Sequence, residues 1–143
     1  MPNKLKINGG DATLLIKKGD ILINLFKYPE AIKTLNKAIQ INPNLVEAWI
    51  KIGVAQLWIG EYDKSIESIN KALEINPHLA EAWNNKGVAM FYKGKYDESI
   101  KYFKNAVEFD SRNETYLENL GYSLRADGRE DESEKIYAML WEL

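Results

Sequence analysis

Four glycines, Gly19, Gly53, Gly87 and Gly121, recur at a constant interval of 34 residues, and nothing else in the chain restricts its fold as much. Other positions keep the same step: Tyr28, Tyr62 and Tyr96; Ala38, Ala72 and Ala106; Trp49 and Trp83; Pro43 and Pro77. Ala31, Ser65, Ser99 and Ser133 add a register of small residues. A fixed period of this length marks a row of supersecondary units, each burying its apolar face on its neighbour. Proteins built this way usually act through an extended surface rather than a catalytic pocket.

Residues 46–79 serve to read one unit. Val46 to Ile59 carries apolar residues at helical spacing, and Gly60 follows, where a helix commonly stops. Asp63 to Ile75 is a second amphipathic stretch, with Ile66, Ile69, Ala72 and Leu73 on one face. Asn76-Pro77 ends it, because the residue before a proline is pushed out of helical angles. Each unit thus reads helix, tight turn, helix, tight turn, and no segment alternates as a strand would. A glycine in a helix interior costs roughly 1 kcal/mol against alanine. Four in one phase predict the close approach of a neighbouring helix, with Ala31, Ser65, Ser99 and Ser133 as small counterparts. Leu35, Ile69, Phe103 and Tyr137 are expected to fill the gaps, and Trp49 and Trp83 to pack in the core.

Composition narrows the function classes. The net charge of −2 offers no basic footprint for nucleic acid or an anionic membrane. The absence of cysteine removes disulfides, thiolate metal sites and cysteine nucleophiles. Lys17, Lys18 and Asp20 split the apolar runs Leu14–Ile16 and Ile21–Ile23, which leaves neither a signal-peptide core nor a membrane span. A cytoplasmic location is the default expectation. The single histidine, His78, follows Pro77 in a turn, and the acidic residues are scattered at repeat spacing over solvent faces. Gly94-Lys95 is followed by Tyr96, not the Ser or Thr of a phosphate-binding loop. Neither catalysis nor a cofactor nor a metal is expected.

The set Ala48-Trp49, Ile52-Gly53, Gly60, Tyr62, Ser65, Ile69, Ala72 and Asn76-Pro77 resembles the tetratricopeptide repeat (TPR). Ala82-Trp83, Gly87, Gly94, Tyr96, Ser99, Phe103 and Ala106 repeat it in the next unit. The resemblance covers residues 12–143 in four units, 12–45, 46–79, 80–113 and 114–143, after an N-terminal extension, 1–11, in which Asn8-Gly9-Gly10-Asp11 reads as a turn. It implies an all-α fold, a right-handed superhelix of four helix-turn-helix hairpins, with first helices lining a concave face.

The resemblance also implies where a partner protein would be read, at fixed first-helix positions of each unit. These include Glu47, Ile50, Val54, Leu57 and Trp58 in the second unit, Glu81, Val88, Phe91 and Tyr92 in the third, and Glu118 and Tyr122 in the fourth. The second-unit helix supports this without the family, since only Lys51 and Gln56 are polar between Ala48 and Ile59. A helix apolar nearly all round is fully buried or presents a second apolar face to something. Ile50, Val54, Leu57 and Trp58 are therefore expected in an apolar groove with Val88, Phe91 and Tyr92. Glu47, Glu81 and Glu118 give that groove an acidic lean, which fits a helix or peptide with an apolar face and some basic residues. The carboxylate clamp known in the family is not matched, because Ile16 and Asp20, or Ile50 and Val54, occupy its positions.

The end units depart from the pattern. Leu15 stands where tryptophan is usual, Phe26 where the turn glycine is expected, and Glu130 in place of the tyrosine. Ser111-Arg112-Asn113-Glu114 spells a capping box in place of the proline turn. The extra solvating helix common in the family does not follow, which leaves Leu140, Trp141 and Leu143 near an uncovered end. Either they fold back on the last hairpin or they form a self-association surface, so a homo-oligomer is the competing expectation.

Overall fold

In the computed structural model, which describes residues 9–143, the chain forms eight α-helices and, among those residues, no strand. They are α1 (Gly9–Asn24), α2 (Tyr28–Ile41), α3 (Val46–Trp58), α4 (Tyr62–Ile75), α5 (Ala80–Tyr92), α6 (Tyr96–Phe109), α7 (Glu114–Ala126) and α8 (Glu130–Trp141). Each helix packs on the one before and the one after it. The backbones of the first helices α1, α3, α5 and α7 also approach one another in succession, whereas those of the described second helices do not. First helices therefore occupy the inner side of an all-α helical-repeat solenoid.

The periodic glycines mark where the two helices of a hairpin come closest. A Cβ on Gly87 would lie 2.6 Å from both Cδ1 and Cε1 of Phe103, and one on Gly53 would lie 2.8 Å from Ile69 Cγ1. Both distances are too short for any real contact, so the large side chain of the second helix occupies the room glycine leaves. The small register sits opposite. Ser65 Oγ donates to the Gly53 carbonyl at 2.6 Å and Ser133 Oγ to that of Gly121 at 2.9 Å, both buried. Ser99 instead donates to the Tyr96 carbonyl and pairs at 2.6 Å with Ser123 of the next unit.

Between hairpins the core is continuous. Ile16, Leu35 and Ala38 pack with Ala48 and Ile52 of the next unit, and Ile69, Ala72 and Leu73 with Ala82 of the one after. Trp49 and Trp83 are half-buried against these clusters, and their indole N–H groups donate to the Pro43 and Pro77 carbonyls at 2.8 Å. Asn42 and Asn76 close the same turns, their side-chain oxygens accepting from the backbone N–H of Asn44 and His78. The indole bond ties a half-buried ring to the turn, and the asparagine bond closes the turn on itself.

Two local readings of the sequence are corrected. Gly9, Gly10 and Asp11 belong to the first turn of α1 rather than to a turn before it. An aspartate there faces the positive end of the helix dipole, which favours helix. Asn8 and the rest of residues 1–8 lie outside the described residues. The helix after Ser111 starts at Glu114, and its cap is Asn113, whose Oδ1 accepts from Tyr116 N at 3.3 Å. Ser111 is thus two residues too early to cap it, and Glu114 is the first helical residue rather than the third. Phe26 does stand at the turn-glycine position, with φ 60°, the left-handed conformation that Gly60, Gly94 and Gly128 hold at the equivalent turn.

Candidate functional site

Four polar residues beside the inner surface settle its character. Gln56, buried on α3, accepts the Ser68 hydroxyl at 2.7 Å. Lys51, the other polar residue between Ala48 and Trp58, reaches back to Asp20 at 2.6 Å and lies 3.9 Å from Glu47. With both satisfied by neighbouring elements, the rest of α3 is free to present carbon to the groove. Farther along, Asn119 Nδ2 donates to Asn84 Oδ1 at 2.9 Å, stitching α7 to α5.

The apolar residues converge on the seam between units two and three. Val54, Leu57 and Trp58 of α3 meet Val88 and Tyr92 of α5 around a recess of about 450 Å³, with Tyr62 on its wall. An adjoining depression of about 180 Å³ continues it toward α7, where Phe91 and Tyr122 join Val88 and Tyr92. A third, of about 370 Å³, opens at the start of the same helices between Glu47 and Glu81.

Aromatic stacking gives the groove its rim. Trp58 stacks on Tyr28 of the preceding unit, with centroids 6.4 Å apart, and Tyr92 stacks on Tyr62 at 5.8 Å. Both outer rings remain open to solvent, Trp58 at 66% and Tyr92 at 62% exposure. The same step in the next unit would bring residue 126 onto Tyr96, but that residue is Ala126. Tyr96 leans on Phe91 instead, and Phe91 sits edge-on to Tyr92. The ladder therefore ends where unit four begins.

Ile50 lines the third depression, apart from the exposed rings. It is only 5% exposed, packed with Ile69, Ala72 and Leu73. Curvature brings α3 and α5 close enough to bury the residue that the flat register leaves open. Val54, Leu57, Val88 and Phe91 are half-buried, while Tyr122 is exposed. Glu47, Glu81 and Glu118 are exposed, but Lys51 offsets the acidic lean at the N-terminal end by lying between Asp20 and Glu47. Glu118 lines none of the three depressions. Near Glu81, burial first and then the Glu81 and Asp110 carboxylates push the Tyr116 phenol above its ordinary range.

Two contributors escaped the sequence reading. Tyr62 belongs to the periodic tyrosines, but only the stacking offset between units puts it in the groove. Asn85 sits on the wall of the recess of about 450 Å³, and its Nδ2 is buried with no hydrogen-bond partner. A buried amide donor left unmade costs about 1–3 kcal/mol. At the far end, Leu140 is half-buried, Trp141 is 91% exposed and Leu143 is exposed, so Trp141 is not folded back on the last hairpin. No described helix is long and apolar enough to cross a membrane.

Comparison with known proteins agrees with this architecture. The tetratricopeptide repeat model matches residues 46–79 and 80–113, and a second TPR repeat model matches residues 19–57. Tetratricopeptide repeat protein 33 of Xenopus laevis is 36% identical over 56 residues. That match takes in 39% of this chain and 22% of the relative, so the chain spans about a fifth of that protein. Among solved structures, MamA from Desulfovibrio magneticus RS-1 superposes with a TM-score of 0.85 over 93% of this chain and 75% of its own, at 22% identity. The first TPR domain of human RPAP3 gives 0.82 over 88% and 99%, at 21% identity. With four hairpins in one register and these matches, the chain belongs to the tetratricopeptide repeat family.

Proposed function

We propose that this chain is a non-catalytic scaffold of the cytoplasm that holds a segment of another protein, helical or extended, along the inner face of α3, α5 and α7. The observation that carries the reading is the pair of exposed, pre-stacked rings, Trp58 and Tyr92, standing over a recess of about 450 Å³ floored by aliphatic side chains. Stacking on Tyr28 and Tyr62 fixes each ring before a partner arrives, so little side-chain entropy remains to be lost on binding. Aromatic anchors around a desolvated pocket are where interfaces concentrate their energy. The orphaned amide of Asn85 adds a polar requirement, an acceptor such as a backbone carbonyl reaching the wall of the recess. Glu81 and Glu118 would orient a lysine or arginine on the partner and speed encounter more than they tighten it.

Selection of a random peptide library on the immobilised protein tests this. The reading expects enriched peptides with apolar anchors and at least one basic residue, and Trp58→Ala to weaken them by about 30-fold or more, the cost of a central anchor. Peptides that bind Trp58→Ala, Tyr92→Ala and wild-type protein equally would refute the groove.

Self-assembly is the second reading. The 91% exposure of Trp141 favours it, since a bare indole beside Met139 and Leu143 is a surface that association would cover.

A further inference from the structure

The repeat register allows each end of the solenoid to be compared with a seam inside it. On α1, Leu14 and Ile21 are 64% and 58% exposed. Their counterparts one and two units on are Ala48 and Ala55, then Ala82 and Ala89, all fully buried. Ala48 packs in the cluster that holds Leu35 and Ala38 of the unit before, and Ala82 in the one that holds Leu73. The α1 face carrying Leu14 and Ile21 is thus the face that every later unit uses to dock on its predecessor.

The other end mirrors it. Trp141 stands in the register of Ile39, Leu73 and Val107. Those three are packed into the inter-unit clusters, Ile39 with the cluster containing Ala48 and Leu73 with Ala82. Carried forward by two units, the Leu73–Ala82 pairing becomes Trp141 of one chain against Leu14 of another.

Charge and polarity follow the same translation. Asn119 contacts Asn84 across the seam between units three and four. One step further, those positions are Glu118 and, at the start of a second chain, Lys17, both exposed. Lys51 reaches Asp20 in the preceding unit, and that contact translates to the same Lys17 beside Tyr122. An acid and a phenol on one end therefore meet a lysine on the other.

Resting on the self-assembly reading above, we propose that copies of this chain join head to tail. In this arrangement α8 of one packs on α1 of the next, Trp141 covers Leu14, and Glu118 pairs with Lys17. Both apolar partners are bulkier than the internal Leu73 and Ala82, so the junction is wider and weaker than an internal seam and reversible with concentration. The interface is heterologous, and a heterologous contact that does not close on itself builds open chains rather than a fixed dimer.

Sedimentation velocity over a rising concentration series of the full chain tests this, with circular dichroism to check each variant. Both substituted side chains are largely exposed, so folding should persist. Wild-type protein is expected to gain mass without reaching a plateau. Leu14→Glu and Trp141→Glu are each expected to stay monomeric alone, yet to form a one-to-one complex when mixed, because each retains the end the other lacks. Lys17→Glu should weaken wild-type association several-fold, and adding Glu118→Lys in the same chain should restore it. If Leu14→Glu still self-associates and Trp141→Glu does not, the contact is a two-fold tail-to-tail one. That result overturns the head-to-tail arrangement and leaves self-assembly standing. Failure of the mixture to associate overturns the arrangement as well. A wild-type chain that remains monomeric throughout overturns both.

Discussion

Units two and three obey the repeat pattern almost position by position, and units one and four break it at several positions. In the middle, Gly60 and Gly94 take the left-handed turn position, and Pro43 and Pro77 accept indole hydrogen bonds from Trp49 and Trp83. At the start, Phe26 is forced into the same left-handed turn. At the end, Asn113 caps α7 with its side chain, which no other capped helix among the described residues does. The tryptophan position is leucine in both end units, Leu15 and Leu117. The seam between units two and three, where both units keep the pattern, also carries the apolar recess and the two outward-facing rings.

The contrast is most sharply tested by putting the same methyl group into the middle and the end. Gly87→Ala places a Cβ 2.6 Å from the fully enclosed Phe103 ring, which has nowhere to move. The expected cost is about 1–3 kcal/mol of overpacking, against a gain of about 1 kcal/mol in helix propensity. Gly121→Ala meets Tyr137 at 3.0 Å, but that ring is half-buried on the last helix and can swing. Thermal unfolding should show a clear loss for the first and almost none for the second. Equal losses would mean the end hairpin is as tightly held as the middle.

Turn and cap substitutions come next in size. Phe26→Gly relieves a left-handed aromatic residue and should stabilise by about 1 kcal/mol, while Gly94→Ala should cost about as much. Denaturant midpoints of the pair would show opposite signs. Asn113→Ala should cost about 1 kcal/mol through its lost cap, seen first as fraying of α7 in amide exchange.

The smallest effect is electrostatic. The Lys93 ammonium, first by hydrogen bond and then by charge, holds the exposed Asp63 carboxyl below its ordinary value. A depressed acid stabilises the fold above its unfolded pKa, and that stabilisation fades as pH falls through the lower folded value. Asp63→Asn should therefore be slightly less stable than wild type at neutral pH, and the difference should close as acid protonates Asp63, read from denaturant midpoints over a pH series. Exposed pairs of this kind are worth little.

The helices, the hairpins and the glycine–large-residue packing were legible because they depend on a period and on steric size, both printed in the residues. Gly53 against Ile69 and Gly87 against Phe103 follow directly from register. The groove was legible only in part. Trp58, Tyr92 and Leu57 could be placed by register, but the burial of Ile50 depends on how sharply α3 and α5 converge, and curvature is not written in a period. Tyr62 entered through a stacking offset of 30 residues rather than 34, which no single-unit reading contains. Asn85 looked like one more polar residue until its amide proved to be buried and unpaired.

The claim that binding sits on the seam between units two and three is best tested by backbone amide shift mapping. A peptide enriched by selection would be titrated into isotope-labelled protein. The account predicts shifts concentrated at Val54, Leu57, Trp58, Asn85, Val88 and Tyr92, with the outer faces of α4 and α6 silent. Shifts gathered on α8 around Trp141, or spread over the second helices with that seam unmoved, would contradict it.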